Sequence, residues 1–395
     1  MPKPISPILP QAPWTKRKAA QQLAQALGSD NMRWVGGAVR DTLLGLDVND
    51  IDCATTHWPD AVMKLCEQAG IRTVPTGIEH GTVTAVFDDG PIEITTLRRD
   101  VATDGRRATI AFASDWRDDA ARRDFTINAL YAHPETREIS DYFGGLRDLS
   151  AKRVRFIGSA SERIAEDHLR ILRYYRFQAR FGSALDDEAE EACAQMADTM
   201  KGLSRERVSG ELLRLLDLPN CPSTIKRMHE RGVLSVILPE ACKPFVAALG
   251  SLVDAEKAQA IASHPIRRLA ALLPTSPDIA EDVSGRLRLS KTQRARLVSA
   301  VSRQPDDADR PFSLGYHLSP AFAIDRLLLL GADARTLIDW EPPTFPLKGG
   351  AIVSRGVGKG PEVARILQTV ERRWVSEGFP NEARVETILS EELEG

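Results

Sequence analysis

The hydrophobic rhythm of the chain changes about a third of the way along. In the first part, strand-like and helix-like stretches alternate. Arg33-Trp34-Val35 has strand composition and runs into Gly36-Gly37. The stretch from Ala38 to Leu44 reads as a helix stopped by Gly45 at its C′ position. Ile51, between Asp50 and Asp52, marks a second strand, and Pro59 to Ala69 a second helix with proline in its first turn. Thr82 to Phe87 and Ile92 to Leu97 have strand composition. Asp89-Gly90 between them is a hairpin turn signal.

From about Ser161 onward strand signals nearly vanish. Ile164, Leu169, Leu172 and Phe177 fall at helical spacing, followed by Leu212, Leu213, Leu215 and Leu216. Arg267 to Leu273, Arg286 to Val298 and Glu362 to Trp374 continue the pattern. Prolines at 219, 222, 239, 265, 274, 305 and 311 punctuate it. The expected fold is a mixed α/β head with a small sheet, followed by an all-α neck, body and tail. We place the head at 1–152, the neck at 153–220, the body at 221–310 and the tail at 311–395.

Composition adds exclusions. The 395 residues carry a formal net charge of −3, so any nucleic-acid binding must use local basic surfaces. The five cysteines are scattered with no Cys-x-x-Cys pair, which argues against structural zinc and a disulfide framework. No apolar run approaches the ~20 residues of a membrane helix, and proline-rich Met1 to Trp14 lacks a signal-peptide core. The expected setting is cytoplasmic, with no membrane and no implied protein partner.

The candidate chemistry starts at Asp50-Ile51-Asp52. Alternate residues of a strand share a face, so both carboxylates point one way and Ile51 the other. Two hard oxygen ligands suit Mg²⁺. In Pro91-Ile92-Glu93-Ile94-Thr95, the isoleucines occupy one face and Glu93 and Thr95 the other, which offers a third acid if the strands are neighbours. Three acids can hold two ions, one activating a hydroxyl and one stabilising a leaving pyrophosphate. Gly36-Gly37 before a helix lets the backbone approach a phosphate, and Arg40 in the first turn is easier to explain beside a bound anion. Taken singly, these features are more simply read as a solvated strand end, an exposed hairpin residue and a plain strand-to-helix turn.

Their order along the chain is more specific. Gly36-Gly37-Ala38-Val39-Arg40-Asp41, then Leu43-Leu44-Gly45 and Asp50-Ile51-Asp52, resembles the head of the class II tRNA nucleotidyltransferase and bacterial poly(A) polymerase family. Thr76-Gly77-Ile78-Glu79-His80-Gly81-Thr82 and Glu93-Ile94-Thr95-Thr96-Leu97-Arg98 follow in the family's order. Arg122-Arg123-Asp124-Phe125-Thr126-Ile127-Asn128-Ala129 resembles its ribose-recognition motif, and Glu166-Asp167-His168-Leu169-Arg170 its base-reading motif. Ser204-Arg205-Glu206-Arg207-Val208 with Glu211-Leu212 resembles the motif that ends the neck.

This resemblance implies roles. Asp50 and Asp52 would be ligands for Mg²⁺, with two ions expected, and Glu93 would assist the attacking 3′-hydroxyl. Gly36, Gly37 and Arg40 would lie against the nucleotide. Arg123, Asp124 and Asn128 would hold ribose and phosphates, with Asp124 placed to sense a 2′-hydroxyl. Asp167 and Arg170 would read the Watson–Crick edges of C and A as a protein template, with Arg173 and Arg176 extending a basic face toward the triphosphate. The spacing of Asp167 and Arg170, and of Glu166 and Arg170, also fits an intrahelical ion pair.

The polar stretch from Leu97 to Phe125, with Arg98, Arg99, Asp100, Arg106 and Arg107, resembles the flexible loop that A-adding members use in switching from CTP to ATP. Gly356-Val357-Gly358-Lys359-Gly360-Pro361 resembles a tail element that could meet RNA phosphates. The implied partners are tRNA, CTP and ATP, and the implied reaction is addition of CCA, or of its terminal A, to a tRNA 3′ end. Two readings compete: a poly(A) polymerase acting on general RNA 3′ ends, and a non-catalytic RNA-binding module.

Overall fold

Short apolar strands that each bury one face need a common sheet, and the head builds one from seven. A computed structural model describes residues 5–103, 108–113, 115–182 and 186–394. The strands are β1 (Met32–Val35), β2 (Asp52–Thr55), β3 (Arg72–Gly77), β4 (Thr82–Val86), β5 (Ile92–Thr96), β6 (Arg98–Thr103), β7 (Ala108–Phe112), β8 (Leu130–Ala132) and β9 (Ile139–Asp141). The sheet order is β3-β4-β5-β2-β1-β8-β9, and β6 and β7 form a separate two-stranded sheet. Only β2 and β5 run parallel; the other pairs are antiparallel.

The hairpin β4–β5 forms around Asp89-Gly90 as the turn signal predicts. Ile92 and Ile94 are fully buried while Glu93 is exposed, the alternation of a half-buried strand. The head core gathers Val35, Ala54, Leu97, Ala120, Ala129, Tyr131 and Ile157.

Helices of this first part are α1 (Lys18–Leu27), α2 (Gly37–Leu43), α3 (Pro59–Gln68), α4 (Trp116–Ala121), α5 (Gly145–Ser150), α6 (Ala160–Glu166), α7 (Arg170–Phe181), α8 (Asp187–Gln195), α9 (Arg205–Leu216), α10 (Cys221–Glu230) and α11 (Val233–Ile237). Residues 1–239 form one compact unit and residues 240–395 a second. The division between the two units falls inside the stretch expected from sequence as the body, 221–310. The second is helical throughout: α12 (Lys243–Ala258), α13 (Pro265–Ala271), α14 (Pro277–Arg286), α15 (Lys291–Val301), α16 (Pro311–Leu318), α17 (Pro320–Leu329), α18 (Gly349–Val353), α19 (Pro361–Ser376) and α20 (Glu382–Glu394). Its C-terminal core packs Ile352, Ile366, Val370, Trp374, Val385 and Leu389. Its buried Arg267 and Arg268 share Glu256 at 2.8 and 2.7 Å, so these interior charges are paired, as burial requires.

Four expectations change. Strand β2 begins at Asp52, so Asp50 precedes it. The helix expected over Arg286 to Val298 is two, α14 and α15, because Ser290 and Gln293 form a capping box that starts a new helix. The polar stretch after Leu97 contains the paired strands β6 and β7 and then α4. Arg106 and Arg107 lie outside the described residues, and the side chains of Arg99 and Asp100 are likewise outside them. Finally, Asp167 has extended backbone (φ −150°, ψ 104°) between α6 and α7, so Asp167 and Arg170 do not share a helix face. The Asp167 side chain accepts the Leu169 N–H at 3.1 Å, a local bond that competes with continuing the helix.

Candidate active site

Strand β1 delivers the chain to Gly36, whose φ of +71° falls where residues with a Cβ are strained. A Cβ there would lie 3.7 Å from Asp52 Oδ2 and 3.7 Å from Arg123 Nη1. The turn backbone thus lies against a carboxylate and a guanidinium at once.

Asp52 pairs with Val35 on one side and with Glu93 on the other. Adjacent strands are ~4.8 Å apart and in-register neighbours leave the same face, so the two carboxylates stand together. Asp50 is exposed and lines, with Asp52, Glu93, Asn49, Arg17 and Asp89, a cavity of about 400 Å³. Burial pushes the Asp52 carboxyl above its ordinary range, Glu93 and Asp50 push the same way, and Arg123 offsets part of the shift. Among the described residues no three His, Cys, Asp or Glu side chains form a group able to hold an ion unaided. The acids offer an open, oxygen-only face, the kind Mg²⁺ completes with water and substrate phosphate.

Arg123 is fixed from behind. Its Nε donates to Tyr131 Oη at 2.9 Å and its Nη2 to Asp119 at 3.1 Å. Tyr131 Oη in turn donates to Asp119 at 2.6 Å. Burial alone would raise the Asp119 carboxyl, but Arg123, Arg122 and Tyr131 hold it down at about 2. Asp119 was not among the residues expected from sequence. Its i, i+4 spacing to Arg123 at the end of α4 is the signal that could have found it.

Asp124 is buried and its carboxylate is in full use. Oδ1 accepts from Asn128 Nδ2 at 3.0 Å and from the Phe125 N–H at 2.8 Å, and Oδ2 accepts from Arg173 at 2.8 and 2.5 Å. Burial works against the charge, yet Arg173 and these hydrogen bonds hold the carboxyl at about 2. Asn128 Oδ1 accepts from Arg40 Nη1 at 2.5 Å.

Arg40 itself is buried, bonded to Asp41 at 2.8 Å, and stacked 4.6 Å from the Phe181 ring centroid and 5.3 Å from that of Phe177. Arg40 thus reaches toward α7 while its Nη2 stays beside the glycine turn, 3.7 Å from where a Cβ on Gly37 would lie. Arg40 braces Asn128.

In the neck, Asp167 Oδ2 accepts from Arg207 of α9 at 2.7 Å. Arg170 pairs with Glu166 and donates to the carbonyls of Arg163 at 2.8 Å and Arg122 at 3.1 Å. The ion pair that sequence spacing suggested thus forms between Glu166 and Arg170, whereas Asp167 faces Arg207. Arg176 stacks 4.5 Å from the Phe177 centroid and donates to buried Glu211 at 2.6 Å, so it is bound up in the neck. Arg207 and Glu211 both fall in the motif that ends the neck, and their partners, Asp167 and Arg176, lie earlier in the neck, beyond the reach of local spacing.

A mixed sheet that sets a glycine turn against Asp52 and a fixed Arg123, with Glu93 in register beside Asp52 and a helical neck following in the chain, has the parts of a nucleotidyltransferase. Residues 32–155 match the family described as "Poly A polymerase head domain", and residues 183–243 the family described as "Probable RNA and SrmB- binding site of polymerase A". The chain is 33% identical over 381 residues to the mitochondrial CCA tRNA nucleotidyltransferase 1 of Mus musculus, covering 91% of this chain and 86% of that protein. It is 40% identical over 210 residues to a CCA-adding enzyme of Streptococcus pneumoniae, covering 53% of this chain and 49% of that one.

Among solved structures, the Bacillus stearothermophilus CCA-adding enzyme in complex with CTP shares the fold with a TM-score of 0.73 at 23% identity, over 97% of this chain and 99% of that one. The Thermotoga maritima CCA-adding enzyme complexed with tRNA shares it with a TM-score of 0.73 at 21% identity, over 99% and 98%. The chain belongs to the class II CCA-adding enzyme family. The murine relative is named as mitochondrial, so the family is not confined to the cytoplasm. Among the described residues no helix is long and apolar enough to cross a membrane.

Proposed function

We propose that the chain completes the CCA end of tRNA, adding nucleotides from CTP and ATP without a nucleic-acid template. The observation that supports this most is the register of Asp52 beside Glu93, with Asp50 on the same cavity, in a chain related along most of its length to enzymes named for CCA addition. The raised carboxyl of Asp52 fits a site made for a divalent cation, since clustered like charges are relieved by one.

Asp50 and Asp52 would hold Mg²⁺, two ions by the family resemblance, which supplies a lowered pKa for the attacking hydroxyl and charge neutralisation at the leaving group. Glu93 stands beside Asp52 to accept the proton of the RNA 3′-hydroxyl. The 3′-oxygen then bonds to the α-phosphorus, the bond from that phosphorus to the α–β bridging oxygen breaks, and pyrophosphate leaves. Arg123, held rigid by Asp119 and Tyr131, keeps its charge at the glycine turn of Gly36 and Gly37, where the phosphates would lie. Asp124 and Asn128 would complete the ribose side, and Arg173, forked onto Asp124, with Arg176, bonded to Glu211, would extend the basic face toward the triphosphate.

Base choice would fall to Asp167 and Arg170. A carboxylate accepts from the exocyclic amines of C and A, which U and G do not present in the same order. Helices of the second unit, with the glycine-rich turn before α19, would carry the tRNA body.

The match to a poly(A) polymerase head supports a second reading, and primer choice separates the two. The chain is supplied with labelled ATP alone, on tRNA ending in CC and on unstructured RNA. We expect a single AMP on the tRNA. Long A-tails on the unstructured RNA would favour the polymerase.

A further inference from the structure

The segment ahead of α1 joins two parts of the head, the β1–α2 pair and the acidic cavity. Pro13–Lys16 forms one 3₁₀ turn that leads into Arg17. Trp14 is buried; its Nε1–H donates to Thr42 Oγ1 of α2 at 2.8 Å, and its ring meets Trp34 of β1 edge-on at 5.5 Å. That end is fixed to the strand and helix that flank the glycine turn.

Arg17, three residues later, leaves in another direction. Its guanidinium forks onto Asp89, Nε to Oδ2 at 2.9 Å and Nη2 to Oδ1 at 2.8 Å, and Nη2 also donates to the Gly90 carbonyl at 3.0 Å. Asp89 and Gly90 are the turn between β4 and β5, immediately ahead of Glu93. Gly90 has a φ of +115°, and a Cβ there would lie 3.5 Å from Arg17 Nη2. Among the described residues Arg17 is the one cation lining the cavity that holds Asp50, Asp52 and Glu93. A paired, two-pronged geometry of this kind fixes orientation as well as charge.

We propose that Arg17 is a positioning residue for nucleotide transfer: with Trp14 as its fixed end, it holds the β4–β5 turn so that Glu93 keeps its place beside Asp52. This rests on the reading of Asp52 and Glu93 as the reacting carboxylates. An ion pair this exposed contributes little to global stability, so its effect is local and falls on the turnover step.

The test uses the full chain with Arg17→Ala, Asp89→Ala and the double exchange Arg17→Asp with Asp89→Arg, beside wild type and Asp52→Asn. Three quantities are measured: kcat and KM for truncated tRNA, the melting temperature, and deuterium exchange of the amides from Asp89 to Glu93. Each single variant is expected to lose about fivefold or more in kcat, with KM and melting temperature near wild type and faster exchange in the turn. The double exchange is expected to restore both kcat and slow exchange. Single variants within twofold of wild type in kcat, unchanged exchange at the turn, or a double exchange no better than the singles would each overturn the proposal. A wild-type chain that transfers no nucleotide would overturn the transferase reading instead, and the exchange rates would still decide whether Arg17 holds the turn.

Discussion

The carboxylate of Asp167 is held by Arg207 at 2.7 Å and not by Arg170, which the break between α6 and α7 turns toward Glu166. The acceptor and the donor expected to read a base are thus each oriented by a separate partner.

Selectivity should therefore depend on Asp167 before activity does. Asp167→Ala is expected to lower the ratio of kcat/KM for CTP over UTP by roughly 5- to 150-fold, the size of one lost buried hydrogen bond of about 1–3 kcal/mol. Arg207→Ala should shift the same ratio in the same direction by less, because it loosens Asp167 without removing it. Steady-state kinetics with the four nucleotides on truncated tRNA measures this; an unchanged ratio in Asp167→Ala removes Asp167 from base reading.

Gly36 and Gly45 make a matched pair. Both have positive φ, +71° and +68°, so alanine at either carries backbone strain on the order of 1–3 kcal/mol. Only at Gly36 does the added carbon meet Asp52 and Arg123; at Gly45 nothing lies within 4 Å. Both alanine variants should melt several degrees lower, and only Gly36→Ala should also lose most of its kcat. Equal retention of kcat in the two would show that the Gly36 turn is structural alone.

Low pH should unpick the support of Arg123. The Asp119 carboxyl titrates at about 2 in the fold and near 3.9 when unfolded. A depressed acid contributes stability that is present above its unfolded value and is lost as pH falls through the folded one. Stability should drop between about pH 4 and pH 2 by on the order of 2–3 kcal/mol from this group. Urea unfolding across that window should show a shallower pH slope in Asp119→Asn than in wild type; equal slopes would contradict the assignment.

How far sequence reached into this structure follows from the range of each interaction. The glycine turn, the β4–β5 hairpin and the alternation of Ile92, Glu93 and Ile94 are set by near neighbours, and they read directly. Strand β3 carries Pro75, which disqualifies a central strand, and the sheet accommodates it at an edge. Strand β8, Leu130–Ala132, is buried throughout and shows no alternation to recognise.

The inward turn of Arg40 depends on Phe177 and Phe181, far along the chain, which no local pattern announces. The same holds for the parallel pairing of Asp52 with Glu93. The sequence supplied both residues on strands, and only the sheet order made them neighbours. The family's base-reading motif was visible, but the Asp167 turn that breaks its helix was not, because Asp two residues before Leu169 reads as well inside a helix as at its end.

The carboxylate pair can be tested apart from the fold. Asp52→Asn and Glu93→Gln keep side-chain size, so both variants should retain the wild-type melting temperature within a few degrees. Each should lose at least 100-fold in kcat/KM, since groups that act only in the transition state lower kcat directly. Activity within tenfold of wild type in Asp52→Asn would remove that residue from the reaction.

The most direct measurement is the length and sequence of the product on a tRNA whose 3′ end stops before CCA. With CTP alone, the chain should extend it by two residues of C and halt. With CTP and ATP together it should extend it by CCA and stop there, and UTP and GTP should add nothing. An end that grows into a run of A, an order other than CCA, or a tRNA left unextended in the presence of Mg²⁺, CTP and ATP would contradict CCA addition by this chain.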